Sequence, residues 1–165
     1  MEAQHETDPD SISALLRAID DAYESYAKAM GLSTSSLLVL ECLWNAPDGC
    51  TQKSIAEQVF LPKQGVNLII RSFLDKGYVT LHELESDRRA KLVTLTESGR
   101  SFAERAVGRM QRAEQATLES LTPTQRTALS EAGRSYVEQM RRALADVSAK
   151  EEPHHSAQDT GETRD

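Results

Sequence analysis

The chain has 165 residues and a formal net charge of −7. This length allows one domain with a substantial core and leaves no room for a second large domain. No apolar run approaches the ~20 residues of a transmembrane helix, and the acidic N-terminus lacks the apolar region of a signal peptide. We therefore expect a cytoplasmic protein without membrane partners.

The negative charge is unevenly distributed along the chain. Residues 1–50 sum to −7, residues 51–100 to +2 and residues 101–165 to −2. Exposed charges more than ~10 Å apart are largely screened from each other, so the local balance matters more than the total. Only the central segment has the positive balance that favours a polyanionic partner such as nucleic acid.

The N-terminal part of the chain predicts two helices. After a polar segment at 1–8 that we expect to be disordered, apolar residues recur at helical spacing over about 9–30, and Gly31 is placed to end that helix. Ser33 or Thr34 can cap a second helix. Its apolar residues cover most of the circumference, which indicates a buried helix.

The middle of the chain has the pattern of a helix-turn-helix. Thr51 is a suitable N-cap for a short helix. Pro62 fits the first position of a second helix, because its missing N–H and fixed φ are tolerated there. We expect Gly77 to end this second helix. Its apolar stripe leaves a polar face made of Lys63, Gln64, Asn67 and Arg71.

A β-hairpin is predicted next. Residues 77–81 and 91–95 read as strands, and the tip between them, residues 86–91, is rich in basic side chains. Helix-turn-helix followed by a basic hairpin is a winged helix, here about 33–96. Such a unit can place one helix in the DNA major groove with the wing beside it.

Two further helices are predicted after the wing, over about 97–118 and 123–147. Residues from 148 to 165 include no large apolar side chain, and we expect them to be disordered. The terminal helices, about 9–30 and 97–147, carry more apolar surface than one small winged helix can cover. We therefore expect a two-fold homodimer, with the fold class mainly α plus a small β-wing.

Three sequence strings together resemble the MarR family, bacterial and archaeal regulators named for multiple antibiotic resistance. They are Leu61-Pro62-Lys63-Gln64-Gly65-Val66-Asn67-Leu68-Ile69-Ile70, Leu74-Asp75-Lys76-Gly77-Tyr78-Val79 and Asp87-Arg88-Arg89-Ala90-Lys91-Leu92-Val93-Thr94-Leu95-Thr96. Each string alone is common among winged helices. Their combination, with helices at both ends, is specific and covers about residues 9–147.

The resemblance implies a dimeric repressor that binds pseudo-palindromic DNA and releases it when a small, often aromatic, molecule binds. It implies that Arg89, which forms the Asp–Arg pair of the wing with Asp87, contacts the minor groove. Gly65 departs from the family pattern, where Ser or Thr is frequent. The predicted DNA-binding residues are Thr51, Gln52, Lys53, Pro62, Lys63, Gln64, Asn67, Arg71, Asp87, Arg88, Arg89 and Lys91, and the predicted ligand-binding residues are Tyr23, Tyr26 and Trp44.

Other interpretations of the same residues remain open. A winged-helix dimer could bind another protein instead of DNA, although the basic wing favours DNA. We expect no enzyme, because the sequence lacks a nucleophile–base set and a phosphate-binding loop. We also predict no cofactor and no metal site, since His82 has no partners at ligand spacing. Cys42 is expected in the core and Cys50 on a loop.

Overall fold

The structure is a computed structural model. It describes the backbone of residues 11–84 and 87–150, and the side chains of 11–83 and 91–149. The elements in chain order are α1 (Ile12–Ala29), α2 (Thr34–Trp44), β1 (Cys50–Thr51), α3 (Gln52–Val59), α4 (Lys63–Asp75), β2 (Val79–Leu84), β3 (Asp87–Leu95), α5 (Glu97–Ala103), a π-helical segment (Glu104–Gly108), α6 (Arg109–Ser120) and α7 (Pro123–Lys150). The mainly helical fold with a small sheet confirms the predicted class.

Short side-chain caps begin the first two helices. Ser11 caps α1 and Ser33 caps α2, each by accepting a hydrogen bond from a backbone N–H three residues on. Gly31 follows α1 with a φ of 71°, a left-handed conformation that glycine adopts without strain. Gly31 and Ser33 thus lie where the sequence placed the end of α1 and the start of α2, whereas α1 begins at Ile12, three residues later than the predicted start at about 9. Helix α2 is then buried along most of its length, through Leu37, Val39, Leu40, Cys42 and Leu43.

Helices α3 and α4 form the helix-turn-helix. Thr51 caps α3, because its hydroxyl accepts from the N–H of Ser54 at 3.1 Å. Phe60 ends α3 in a left-handed conformation, with φ 53°. Pro62 is the N-cap of α4, whereas the sequence predicted it as the first helical residue. The helix therefore begins one residue later than predicted. The ψ of 142° at Pro62 is extended, so the helix starts at Lys63.

The three strands form one antiparallel sheet in the order β1-β3-β2. Strand β1 pairs with β3 through Cys50 opposite Val93, and it was not predicted. Cys50 is consequently a buried strand residue, which corrects its expected place on a loop. Strand β3 begins at Asp87, so most of the predicted wing tip is strand; Glu85 and Ser86 lie outside the described residues.

The base of the sheet is fixed to α5 by a close approach. A Cβ on Gly99 would overlap the carbonyl oxygen of Tyr78, so only glycine fits there. Thr96 caps α5 and donates its hydroxyl to the carbonyl of Gly77 at 2.7 Å. The ring of Tyr78 stacks on Phe102, with centroids 4.6 Å apart. These contacts hold the root of the hairpin against the helical core.

The chain divides into two compact units, at 1–115 and 116–165. In the second unit, Thr122 and Gln125 form a capping box at the start of α7. Helix α7 continues to Lys150, three residues past the predicted end, and the rest of the predicted disordered tail lies outside the described residues, as does segment 1–8. Among the described helices, none is long and apolar enough to cross a membrane.

Candidate nucleic-acid interface

Helix α4 has one buried face and one exposed face. Val66, Ile70 and Phe73 are at most 1% exposed and anchor the helix in the core. Lys63 and Gln64, in its first turn, are exposed. The core therefore holds the start of α4 rigidly while its polar side chains face solvent. This is the arrangement that a helix needs to present side chains to base edges.

Asn67 is the exception on the predicted polar face. It is only partly exposed, and its amide donates to the Oε1 of Gln52 at 3.2 Å. This hydrogen bond joins the first residue of α3 to the second turn of α4. Of the two partners, Gln52 keeps its amide group as a donor for DNA phosphate. Asn67 is therefore positioned by a neighbouring side chain.

Thr51, Lys53 and Arg71 are the remaining predicted contacts on these helices. Thr51 is occupied as the cap of α3, so its hydroxyl has a structural role. Lys53 is exposed and lies 3.9 Å from Glu57, an ion pair too open to immobilise it. Arg71 is exposed two turns along α4 from Gln64. Leu68, which is not among the predicted site residues, is exposed between Gln64 and Arg71.

The wing is only partly described. The backbones of Asp87, Arg88 and Arg89 lie in strand β3, but their side chains lie outside the described residues. Lys91 is exposed and stands opposite Glu83 across the β2–β3 pair. The register of the β2–β3 pair shifts between Glu83 and Leu84.

A cavity of about 360 Å³ lies in the first unit, among α1, α2 and the start of α6. Leu37, Leu38 and Met110 give it apolar walls. The hydroxyl of Tyr23 donates to the Oε1 of Glu114 at 2.5 Å. This hydrogen bond, with burial and the charges of Glu114 and Glu41, raises the pKa of Tyr23 to about 12. The cavity is lined by Asp20, Tyr23, Glu24, Thr34, Leu37, Leu38, Glu41, Met110 and Glu114.

Only one of the three predicted ligand-binding aromatics lines this cavity. Tyr26 instead donates its hydroxyl to the carbonyl of Ala106 at 2.7 Å, and Trp44 packs against the hydrophobic core. Four carboxylates line the cavity, and sequence reasoning missed them because they come from three separate helices. Of these, Glu24 is paired with Lys28 at 2.7 Å, and Glu41 accepts from Gln111 at 3.1 Å.

The two cysteines are adjacent in the core and free. The Cys50 thiol donates toward Cys42, which lowers the pKa of Cys42 and raises that of Cys50. The Sγ of Cys42 also lies 3.4 Å from the Oε1 of Gln58. Within the described residues, no group of three or more side chains could hold a metal ion.

Comparison with known proteins matches residues 30–90 to the MarR family. The fold is similar to that of a MarR family regulator from Neisseria meningitidis, with a TM-score of 0.69 and 24% identity over 84% of this chain and 96% of that one. It also resembles S. aureus MepR in complex with DNA (TM-score 0.62, 21% identity, 81% and 98% covered). A third similar structure is Bordetella bronchiseptica BpsR, whose DNA binding is regulated by 6-hydroxynicotinic acid (TM-score 0.60, 22% identity, 78% and 94% covered).

Proposed function

We propose that the protein is a transcription regulator of the MarR type, a homodimeric repressor of pseudo-palindromic operators that is released by a small ligand. It acts by binding and not by catalysis. The observation that carries the proposal is the exposed polar start of α4, held on a fully buried helix face. A rigid helix with polar side chains at its N-terminal end matches the depth of the major groove.

The proposed contacts divide by position. Gln64 reads a base edge, since its amide can both donate and accept at adenine, and Lys63 contacts guanine or phosphate. Gln52 and Lys53, at the start of α3, contact the backbone. Arg71 reaches phosphate from further along α4. In the wing, Arg88, Arg89 and Lys91 enter or border the minor groove, with Asp87 orienting Arg89.

The homodimer is supported by apolar side chains that the described chain leaves in solvent. On α1, four large apolar residues are 44–55% exposed, namely Ile12, Leu15, Leu16 and Ile19. On α7, six are 37–59% exposed, namely Leu129, Tyr136, Val137, Met140, Leu144 and Val147. A monomer in water rarely exposes such long apolar stripes. A second copy would cover both and present two recognition helices to half-sites ~34 Å apart.

The proposed effector binds the cavity beside Tyr23. Its apolar walls suit a hydrophobic body, which agrees with the expected aromatic ligand. The carboxylates of Asp20, Glu41 and Glu114 favour a cationic group over a phenolic acid, because an anion would be repelled at close range. The Tyr23 hydroxyl stays protonated at neutral pH and is already committed to Glu114. We therefore propose an organic cation with an aromatic or aliphatic body.

The dimer and the DNA binding are tested together. Sedimentation of the wild type should show a dimer at micromolar concentration, and gel shifts should show preference for its own promoter over random duplex DNA. Val137→Glu, which puts a charge into the α7 stripe, should dissociate the dimer and weaken operator binding.

The matched control is Ser135→Glu, which adds the same charge to an exposed position about 200° around α7. It should leave both properties intact. A wild-type monomer would refute the dimer, and equal affinity for promoter and random DNA would refute specific recognition.

A further inference from the structure

Leu68 is an apolar side chain that the structure places in solvent on the recognition helix. It is 66% exposed, whereas Val66, Ile70 and Phe73 on the same helix are at most 1% exposed. Within the described part of the winged helix, only Leu38 and Phe60 are other large exposed apolar residues, and neither is on α4. The core therefore does not need this side chain, which is available to a partner.

The helical geometry sets Leu68 on the face proposed to meet DNA. It follows Gln64 by four residues and precedes Arg71 by three, and side chains at these spacings are neighbours on one helix face. Their Cβ atoms lie roughly 5–6 Å apart. One base step is about 3.4 Å. When Gln64 reaches one base edge, Leu68 therefore lies one to two base pairs away from it.

An apolar side chain in the major groove has one kind of partner among the four standard bases. Thymine alone carries a C5-methyl group there, while the other edges present hydrogen-bonding atoms. Resting on this methyl removes water from both apolar surfaces. Resting on a polar edge would strip that edge of water without a hydrogen bond in return. An apolar side chain on this face would therefore favour thymine and disfavour the other bases.

We propose that Leu68 is a specificity-determining residue that reads a thymine methyl group in each operator half-site. This inference rests on the proposed DNA-binding function and assigns one of its determinants. Gln64 supplies directional hydrogen bonds, and Leu68 supplies shape and apolar contact at the neighbouring position. Arg71, further along the same face, fixes the helix on the phosphate backbone.

The test isolates single methyl groups. An operator is first selected from random duplexes with the wild-type protein. Each thymine is then replaced in turn by deoxyuridine, which removes only the C5-methyl, and affinity is measured by fluorescence anisotropy at one salt concentration. At one thymine in each half-site, in symmetry-related positions, removal of the methyl group should lower the affinity of the wild type about fourfold. A loss of this size corresponds to the burial of one methyl group. Leu68→Ala should bind the thymine and deoxyuridine duplexes equally at that position.

Two controls distinguish the loss of the thymine contact from effects on folding or charge. Leu68→Met keeps a large apolar side chain and should keep most of the deoxyuridine effect. Leu68→Ala removes no charge, so its salt dependence should match the wild type, whereas Arg71→Ala should lower the slope. Alanine is a strong helix former, so the exposed substitution leaves the helix intact, which circular dichroism checks.

Each outcome is decisive. A deoxyuridine effect that is equally large in Leu68→Ala overturns the assignment, as does a wild type that is insensitive to every thymine methyl or an operator without thymine under α4. In those cases specific DNA binding itself still stands. If the selection enriches no sequence, the proposed DNA-binding function fails first, and the assignment of Leu68 fails with it.

Discussion

Arg71 and Arg89 carry the same charge but occupy different parts of the proposed interface. Arg71 is on α4, and Arg89 is in strand β3 of the wing. A minor-groove arginine is held where the groove is narrow and its negative potential is enhanced. We predict that Arg89→Ala weakens operator binding by about 1–3 kcal/mol, more than Arg71→Ala does.

A salt titration of both variants measures this difference. The slope for Arg89→Ala should fall by about one ion if phosphate is also contacted. Arg71→Ala is the matched control for losing one positive charge. Identical affinities of wild type and Arg89→Ala at every salt concentration would remove the wing arginine from the interface.

The hydrogen bond of Tyr23 to Glu114 makes the stability of the protein depend on pH. The pKa of Tyr23 is raised from 10.0 to about 12, mainly by the bond to Glu114. Folding therefore favours the protonated hydroxyl. Its contribution to the free energy of unfolding is complete below pH 10 and is lost as the pH rises toward 12. Tyr23→Phe should lower the free energy of unfolding by about 1 kcal/mol at pH 8.

Urea denaturation at pH 8, 9.5 and 10.5 follows this contribution. The difference between wild type and Tyr23→Phe should narrow as the pH rises. Tyr26→Phe serves as the control, because it leaves the Tyr23–Glu114 bond in place and so should keep the alkaline loss. A difference that stays constant across this range would show that the hydroxyl is not the titrating group.

At the scale of elements, the helix starts were predictable because caps are local. Ser33, Thr51 and Thr96 each accept a hydrogen bond from an N–H three residues on. Gly31 and Gly77 end their helices with positive φ. These signals lie within a few residues of the boundary that they set, so a single sequence contains them.

The features that the sequence did not predict depend on contacts between distant parts of the chain. Strand β1 has two residues and exists because it pairs with β3, some forty positions later. That pairing buries Cys50, which no local pattern indicates. The acidic lining of the cavity likewise brings together Asp20, Glu41 and Glu114 from separate helices. Non-local contacts of this kind have no short-range sequence signal.

A substitution of Gly99 tests whether α5 must approach the sheet closely. A Cβ there would meet the backbone carbonyl of Tyr78, which cannot move like a side chain. Gly99→Ala should therefore destabilise the protein by about 3 kcal/mol, by forcing α5 away from the hairpin root.

Thermal and urea unfolding measure this change. Gly65→Ala is the matched control in another helix, because nothing lies within 4 Å of its added Cβ. It should raise stability by up to about 1 kcal/mol through helix propensity alone. Equal effects of the two substitutions would mean that the close approach at Gly99 is absent in solution.

At the scale of the whole molecule, charge limits how the protein meets DNA. The chain sums to −7, but residues 51–100 sum to +2. A polyanion is repelled by most of such a surface and attracted only at the winged helix. We expect this charge distribution to reduce non-specific binding and to favour encounters in which α4 and the wing face the duplex.

The proposed regulation requires that ligand binding in the cavity is coupled to DNA binding by α3, α4 and the wing. Coupling between two ligands is reciprocal: a cation that weakens operator binding by a given factor must itself bind the operator-loaded protein less tightly by that factor. We predict that benzyltrimethylammonium binds the free protein more tightly than benzoate does, because carboxylates line the cavity. It should lower operator affinity by an amount typical of such coupling, about 1–3 kcal/mol.

Isothermal titration with and without operator DNA measures both directions of this coupling. Glu114→Gln keeps an acceptor for the Tyr23 hydroxyl but removes a charge, and it should weaken binding of the cation. Glu24→Gln is the matched control, because Lys28 already balances that carboxylate. Tighter binding of benzoate would contradict the charge argument. Equal cation affinity with and without operator would mean that the cavity, even when occupied, has no influence on DNA.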